Sequence, residues 1–210
     1  MKKQKAPLQS SRFAWFLMIG AIGAALLSCN LFINYYTVIY DANGADSGTV
    51  PTDSNRYRQG AVVMVQSNNG NLAKTGYSFA GWNTKADGSG TTYQGGSTFT
   101  MGEENVILYA QWSALAQTVD AGAAHTMILK ADGTLWATGD NYFGQLGDAT
   151  TTYRHIPVQV MTGVQAVAAG GLHTMILKTD GTLWATGNNK SGQLGDGTTI
   201  NRYTPVQITF

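Results

Sequence analysis

His125-Thr126-Met127-Ile128-Leu129-Lys130, Ala131, then Asp132-Gly133-Thr134-Leu135-Trp136-Ala137-Thr138-Gly139 decides the fold, because it occurs twice. His125, Trp136 and Gly147 return as His173, Trp184 and Gly195, each 48 residues on. Gly144-Gln145-Leu146-Gly147-Asp148 and Pro157-Val158-Gln159 return as Gly192–Asp196 and Pro205-Val206-Gln207. Such a period marks a repeat architecture and must be settled before any single element is read. Each copy holds four short runs of strand character: 118–121, 125–130, 134–138 and 156–160, then 165–169, 173–178, 182–186 and 205–209. Asp132-Gly133 and Asp180-Gly181 fall between strong runs, where Asp-Gly favours the hairpin turn whose twist matches its flanking strands. Four short antiparallel strands per repeat of this length predict a propeller blade.

The pattern Gly-x-x-His-Thr-x-x-Leu-x-x-Asp-Gly-x-Leu-Trp-x-x-Gly, continued by Gly-Gln-Leu-Gly, resembles the repeat of the regulator-of-chromosome-condensation family. Both copies carry it, over 117–164 and 165–210. The resemblance implies a closed ring of about seven blades, whereas two blades leave open faces and unpaired edges. Three outcomes stay open: the chain is part of a longer repeat protein, it completes a ring with other copies, or its two blades pack against the module before them.

That preceding module is expected over 35–112. Tyr36–Tyr40, Ala61–Val65, Tyr77–Trp82 and Val106–Trp112 are β-rich runs separated by turn-forming stretches such as Asn43-Gly44 and Asn68–Gly76. Along the last run Ile107, Tyr109 and Gln111 oppose Leu108, Ala110 and Trp112. Gly76-Tyr77, Phe79-Ala80-Gly81-Trp82-Asn83-Thr84, Asp87–Thr91 with Tyr93, and Leu108–Trp112 resemble the internalin-type B repeat, or Listeria–Bacteroides repeat. The resemblance implies a small β-grasp-like domain of bacterial surface proteins with no enzymatic role as a class. Trp82 and Trp112 read as core aromatics, and 113–116 as a linker to the repeats.

Residues 1–28 read as a targeting leader. Lys2, Lys3, Lys5 and Arg12 precede the apolar run Phe13–Leu27, which is short for a membrane span of about 20 residues. Leu26-Leu27-Ser28-Cys29 resembles a bacterial lipobox, which implies cleavage between Ser28 and Cys29 and lipidation of Cys29, with 29–34 as a tether. Cys29 is the sole cysteine and has no disulfide partner. Two or more acyl chains would hold the protein stably at a membrane. The expected location is the cell envelope, at the outer membrane or cell surface.

Composition narrows the function. Charged residues make up 12%, hydrophobic ones 43%, and 26 glycines suit strands joined by tight turns. Without the leader nine bases face twelve acids, a net charge of −3 with no basic run, which argues against nucleic acid. Three histidines and one cysteine are too few and too scattered for zinc, and no phosphate loop, calcium loop or nucleophile elbow occurs. His125 and His173 read as structural groups bonded to neighbouring backbone, and no cofactor is expected. The expectation is therefore a mainly β, non-enzymatic, lipid-anchored adhesion or protein-interaction module whose partner is a protein or glycan. The alternative is a regulator or inhibitor of a partner enzyme acting through the propeller repeats.

Overall fold

A computed structural model describes residues 33–210, which hold fourteen β-strands and no helix. The leader, Ser28, Cys29 and most of the tether lie outside the described residues.

The first module contains β1 (Val38–Asp41), β2 (Val62–Met64), β3 (Tyr77–Asn83), β4 (Thr92–Tyr93), β5 (Thr98–Thr100) and β6 (Val106–Ala114). Its sheet runs β1-β6-β3-β4, with the first and last strands parallel and β3 antiparallel to β6. β2 and β5 form a separate antiparallel pair. Period-two alternation sets the core: Val38 and Tyr40 on β1, and Leu108 and Ala110 on β6, are buried, while Ile39 and Ile107 face out. Val63, Val65, Leu72 and Met101 close over that face.

Trp82 is fully buried and meets Tyr40 and Phe79 edge-on, at ring-centroid distances of 4.7 and 5.2 Å. Its Nε1 donates to the Gln66 carbonyl at 2.9 Å, and the Gln66 amide donates to the Tyr40 hydroxyl at 2.7 Å. One backbone unit thus satisfies both buried polar aromatics. Trp112 is half-buried, and its Nε1 donates to the Asn43 carbonyl at 3.0 Å. Gly81 sits at a bulge with φ +118°, where a Cβ would lie 2.8 Å from the Tyr93 carbonyl oxygen. Only glycine lets β3 bend there without displacing backbone.

The expected linker over 113–116 is replaced by a single residue. Ser113 and Ala114 continue β6 by pairing with Ser78 and Tyr77, and Ala116 already pairs with Lys130. Leu115 is the only residue between the ladders, and its backbone is used at both ends: its N–H donates to Gly76 and its carbonyl accepts from Ala131.

The repeats form two antiparallel four-stranded sheets. The first comprises β7 (Ala116–Ala121), β8 (His125–Lys130), β9 (Leu135–Gly139) and β10 (Arg154–Met161). The second comprises β11 (Val164–Ala169), β12 (His173–Lys178), β13 (Leu183–Gly187) and β14 (Arg202–Ile208). Each strand falls within a few residues of its predicted run. Hairpins form at both Asp-Gly pairs, but as three-residue loops and not the two-residue turn expected: the Gly133 and Gly181 amides donate to the Lys130 and Lys178 carbonyls, only the glycine of each pair has a positive φ, +76° and +82°, and Asp132 and Asp180 instead accept from the Thr134 and Thr182 amides. Between the blades lies one core of Met127, Leu129, Leu135, Ala137, Leu146, Val164 and Ile176.

Candidate functional site: the blade contact and its loop rim

The polar part of the blade contact centres on His125. Its ring lies over Gly122, where a Cβ would collide with the imidazole, and its Nε2 is 3.1 Å from the Thr174 hydroxyl of the second blade. Thr174 spends its own hydrogen on the Gln145 carbonyl at 2.8 Å, so Nε2 carries the proton and donates. Nδ1 is then a buried acceptor without a hydrogen-bond partner among the described residues. Burial pushes the His125 pKa below its usual value, outweighing the nearby Asp140 and Asp120 charges. The histidine's partner is thus a side chain of the neighbouring blade, not backbone. Sequence reasoning within one repeat had no means of finding it.

Five further bonds cross the same contact. Thr186 Oγ1 donates to the Gly144 carbonyl at 2.8 Å, the Ala169 amide to Asp120 Oδ2 at 2.8 Å, and the Val164 amide to the Gly133 carbonyl at 3.0 Å. The Ala149 amide donates to the Tyr203 carbonyl at 2.9 Å and the Ala123 amide to the Gly171 carbonyl at 3.2 Å. His173, the repeat partner of His125, lies half-buried over Gly170 at the far side of the second blade. Trp136 and Trp184 are half-buried, each donating to a threonine two residues earlier and each beneath a lysine ammonium. Gly147 is buried against Thr186 and Pro205, whereas Gly195 is exposed. His155 is exposed.

Each blade's long loop is built around a buried asparagine. Asn141 Nδ2 donates to Asp148 and to the Thr150 carbonyl, and its Oδ1 accepts from the Leu146 amide. Asn189 repeats this with Asp196, Thr198 and Leu194. Arg154 and Arg202 close the loops on Asp148 and Asp196, each at 2.6 Å. Thr198, Arg202 and Asn189 hydrogen bonds hold the Asp196 carboxyl at about 2, against slight burial. At Asp148 burial works upward, but bonds from Thr150, Arg154 and Asn141 prevail and its pKa is lowered.

On this framework sits an aromatic rim that the sequence reading did not single out. Tyr142 and Tyr153 are 65% and 54% exposed, and Tyr203 is 45% exposed against the Gly144 backbone. Tyr142 packs edge-on to Phe143 at 4.9 Å, and the Lys190 ammonium lies 5.6 Å from the Phe143 ring. Asp140 holds the rim from below, accepting from the Tyr142 amide and from Gln145 Nε2. Its charge also raises the Tyr153 pKa. The signal was present in Asn-Tyr-Phe-Gly and Thr-Tyr-Arg, but only the fold brings the two segments together. Among the described residues no three His, Cys, Asp or Glu side chains are grouped to hold a metal ion, and no helix is long and apolar enough to cross a membrane.

Family profiles agree with the order of modules. The Listeria–Bacteroides repeat domain profile matches residues 36–111. Two profiles of the regulator of chromosome condensation repeat match 117–145 with 164–193, and 132–177 with 180–210. Two relatives come from Evansella cellulosilytica. One, known by name only as a Gly-rich membrane protein, is 49% identical over 83 residues, 38% of this chain and 9% of its own length. The other, likewise named a membrane protein, is 41% identical over 105 residues, 48% of this chain and 15% of its own. The chain thus spans a small fraction of either relative. Solved structures with partial likeness include Prp20p from Saccharomyces cerevisiae, at 20% identity, 50% of this chain, 29% of that chain and TM-score 0.41. Human WBSCR16 aligns at 19% identity, over 66% of this chain and 36% of that one, with TM-score 0.42. The chain joins one Listeria–Bacteroides repeat domain to two regulator-of-chromosome-condensation repeats.

Proposed function

We infer that this protein is an envelope-tethered adhesion or interaction module without catalytic activity of its own, and that the blade loops contact its partner. The observation that carries the reading is the aromatic rim: Tyr142, Phe143 and Tyr153 stand on the first blade's long loop, which is tied down by hydrogen bonds, and Tyr203 stands at the start of β14. Tyrosine offers a large amphipathic surface with only two side-chain torsions to freeze, so a pre-ordered cluster binds a protein or glycan at small entropic cost. The tether follows from the leader and Cys29, and the two relatives named as membrane proteins support it.

The test is cross-linking on intact cells, comparing the native chain with a Tyr142→Ala/Tyr153→Ala variant. The native chain is expected to give a defined cross-linked partner, and the variant to lose it at unchanged melting temperature. Equal cross-linking by both would remove the rim from the function. Mass spectrometry showing an intact Met1 and an unmodified Cys29 would remove the tether.

A further inference from the structure

The two blades carry the same residues but present different faces to each other. His125, Met127, Leu129, Leu135, Ala137 and Leu146 of the first blade receive Thr174, Ile176, Trp184 and Thr186 of the second. Every residue of the receiving set recurs 48 positions later as His173, Met175, Leu177, Leu183, Ala185 and Leu194. Of that copy, Ala185 and Leu194 are buried with Ile208 in the second blade's own core, while Met175, Leu177 and Leu183 join Ala166 and Ala168 around an apolar dimple of about 130 Å³ on its far face. The inserting set recurs 48 positions earlier as Thr126, Ile128, Trp136 and Thr138, all only half-buried, beside Val119 at 60% exposure. The molecule therefore displays both halves of a contact it already makes once.

We propose that the far face of the second blade docks the first blade of a second copy of this chain, head to tail, by reusing the His125–Thr174 contact as His173 against Thr126. Ile128 of the incoming copy fills the dimple, as Ile176 joins the Met127–Leu129–Leu135 core within the chain. Thr126 finds the Gln193 carbonyl, and Thr138 the Gly192 carbonyl, where Thr174 and Thr186 use Gln145 and Gly144. Several positions differ: Val164, buried in the core within the chain, is replaced by Ala116, and Met161, packed against that core, by Thr209. Asp120, which accepts the Ala169 amide inside the chain, is replaced by Ala168, and the Tyr203 that packs on Gly144 is replaced by His155. Without that carboxylate the contact between copies is weaker than the one within, so it is reversible and concentration-dependent. Because the two surfaces differ, it propagates beyond dimers unless a ring closes. The inference rests on reading the blades as interaction surfaces and names a partner for the face opposite the intramolecular contact.

The experiment uses the full chain in nonionic detergent at less than one chain per micelle, with mass followed against concentration by light scattering. The native chain is expected to grow stepwise. Met175→Glu spoils one face and Ile128→Glu the other. Each variant alone is expected to need more than ten times the native concentration to associate, while an equimolar mixture recovers association and stops at dimers. Unchanged circular dichroism and melting temperature establish that both variants fold; if either fails, Leu177→Gln and Thr126→Lys take their places. A native chain that stays monomeric, or association that survives both variants, overturns the proposal, the second result assigning association to the leader. Loss of partner cross-linking in the tyrosine variant alongside a monomeric native chain would sink this inference and leave the rim's role standing.

Discussion

The hexapeptide His-Thr-Met-Ile-Leu-Lys appears in β8 and in β12, and the two strands bury opposite sides of it. In β8 the buried residues are His125, Met127 and Leu129; in β12 they are Thr174 and Ile176. Local sequence is identical, so neither propensity nor patterning can produce the difference. Position in the stack does: β8 looks toward the second blade with its histidine side, and β12 looks back toward the first with its threonine side. A strand apolar on both faces is what a stacked sheet requires, since every interior blade must be received and inserted at once. Gln145 and Gly147 show the same asymmetry, buried in the first blade while Gln193 and Gly195 are exposed in the second.

The largest expected effect exploits that asymmetry. Met127→Ala removes a fully buried side chain from the inter-blade core and should cost about 3 kcal/mol of unfolding free energy, whereas Met175→Ala should cost about 1 kcal/mol or less. Urea unfolding of both variants measures the gap, and equal losses would break the comparison. Next in size is the hydroxyl that joins the blades. Thr174→Val strands the His125 Nε2–H and the Gln145 carbonyl and should cost about 2 kcal/mol, while Thr126→Val should stay within about 0.5 kcal/mol.

A smaller effect separates the blades by pH. Burial lowers the His125 pKa in the folded state, so between that value and the unfolded value of about 6.5 the unfolded chain binds more protons. Stability is therefore complete above about pH 6.5 and declines as pH falls below it. Melting temperatures between pH 7.5 and 5 should drop for the native chain and drop less for His125→Gln, relative to each protein at pH 7.5. A slope unaffected by that substitution would move the titration elsewhere.

Much of the strand layout was legible because each strand is encoded locally. Apolar alternation, Asp-Gly turns and the 48-residue recurrence need only neighbouring residues to be read. Pairings between distant segments were not legible. The parallel match of Val38 with Val106 depends on the fold bringing the two ends of the module together. The short strands at Thr92–Tyr93 and Thr98–Thr100 hold too few residues to show a period. The expected linker vanished because Ser113 and Ala114 find partners 35 or more residues upstream. The tyrosine rim escaped for the same reason, since Tyr142 and Tyr153 are separated in sequence and meet only around Asp140.

The difference between the blades can be read directly from methionine chemistry. Limited peroxide oxidation of the dilute native chain, followed by peptide mass spectrometry, reports the exposure of Met127 and Met175 in one sample, with the 62%-exposed Met64 as reference. Met64 is expected to oxidise fastest, Met175 next, and Met127 only on the timescale of global unfolding. Equal rates at Met127 and Met175 would contradict that order, because two identical strands would then be burying the same face.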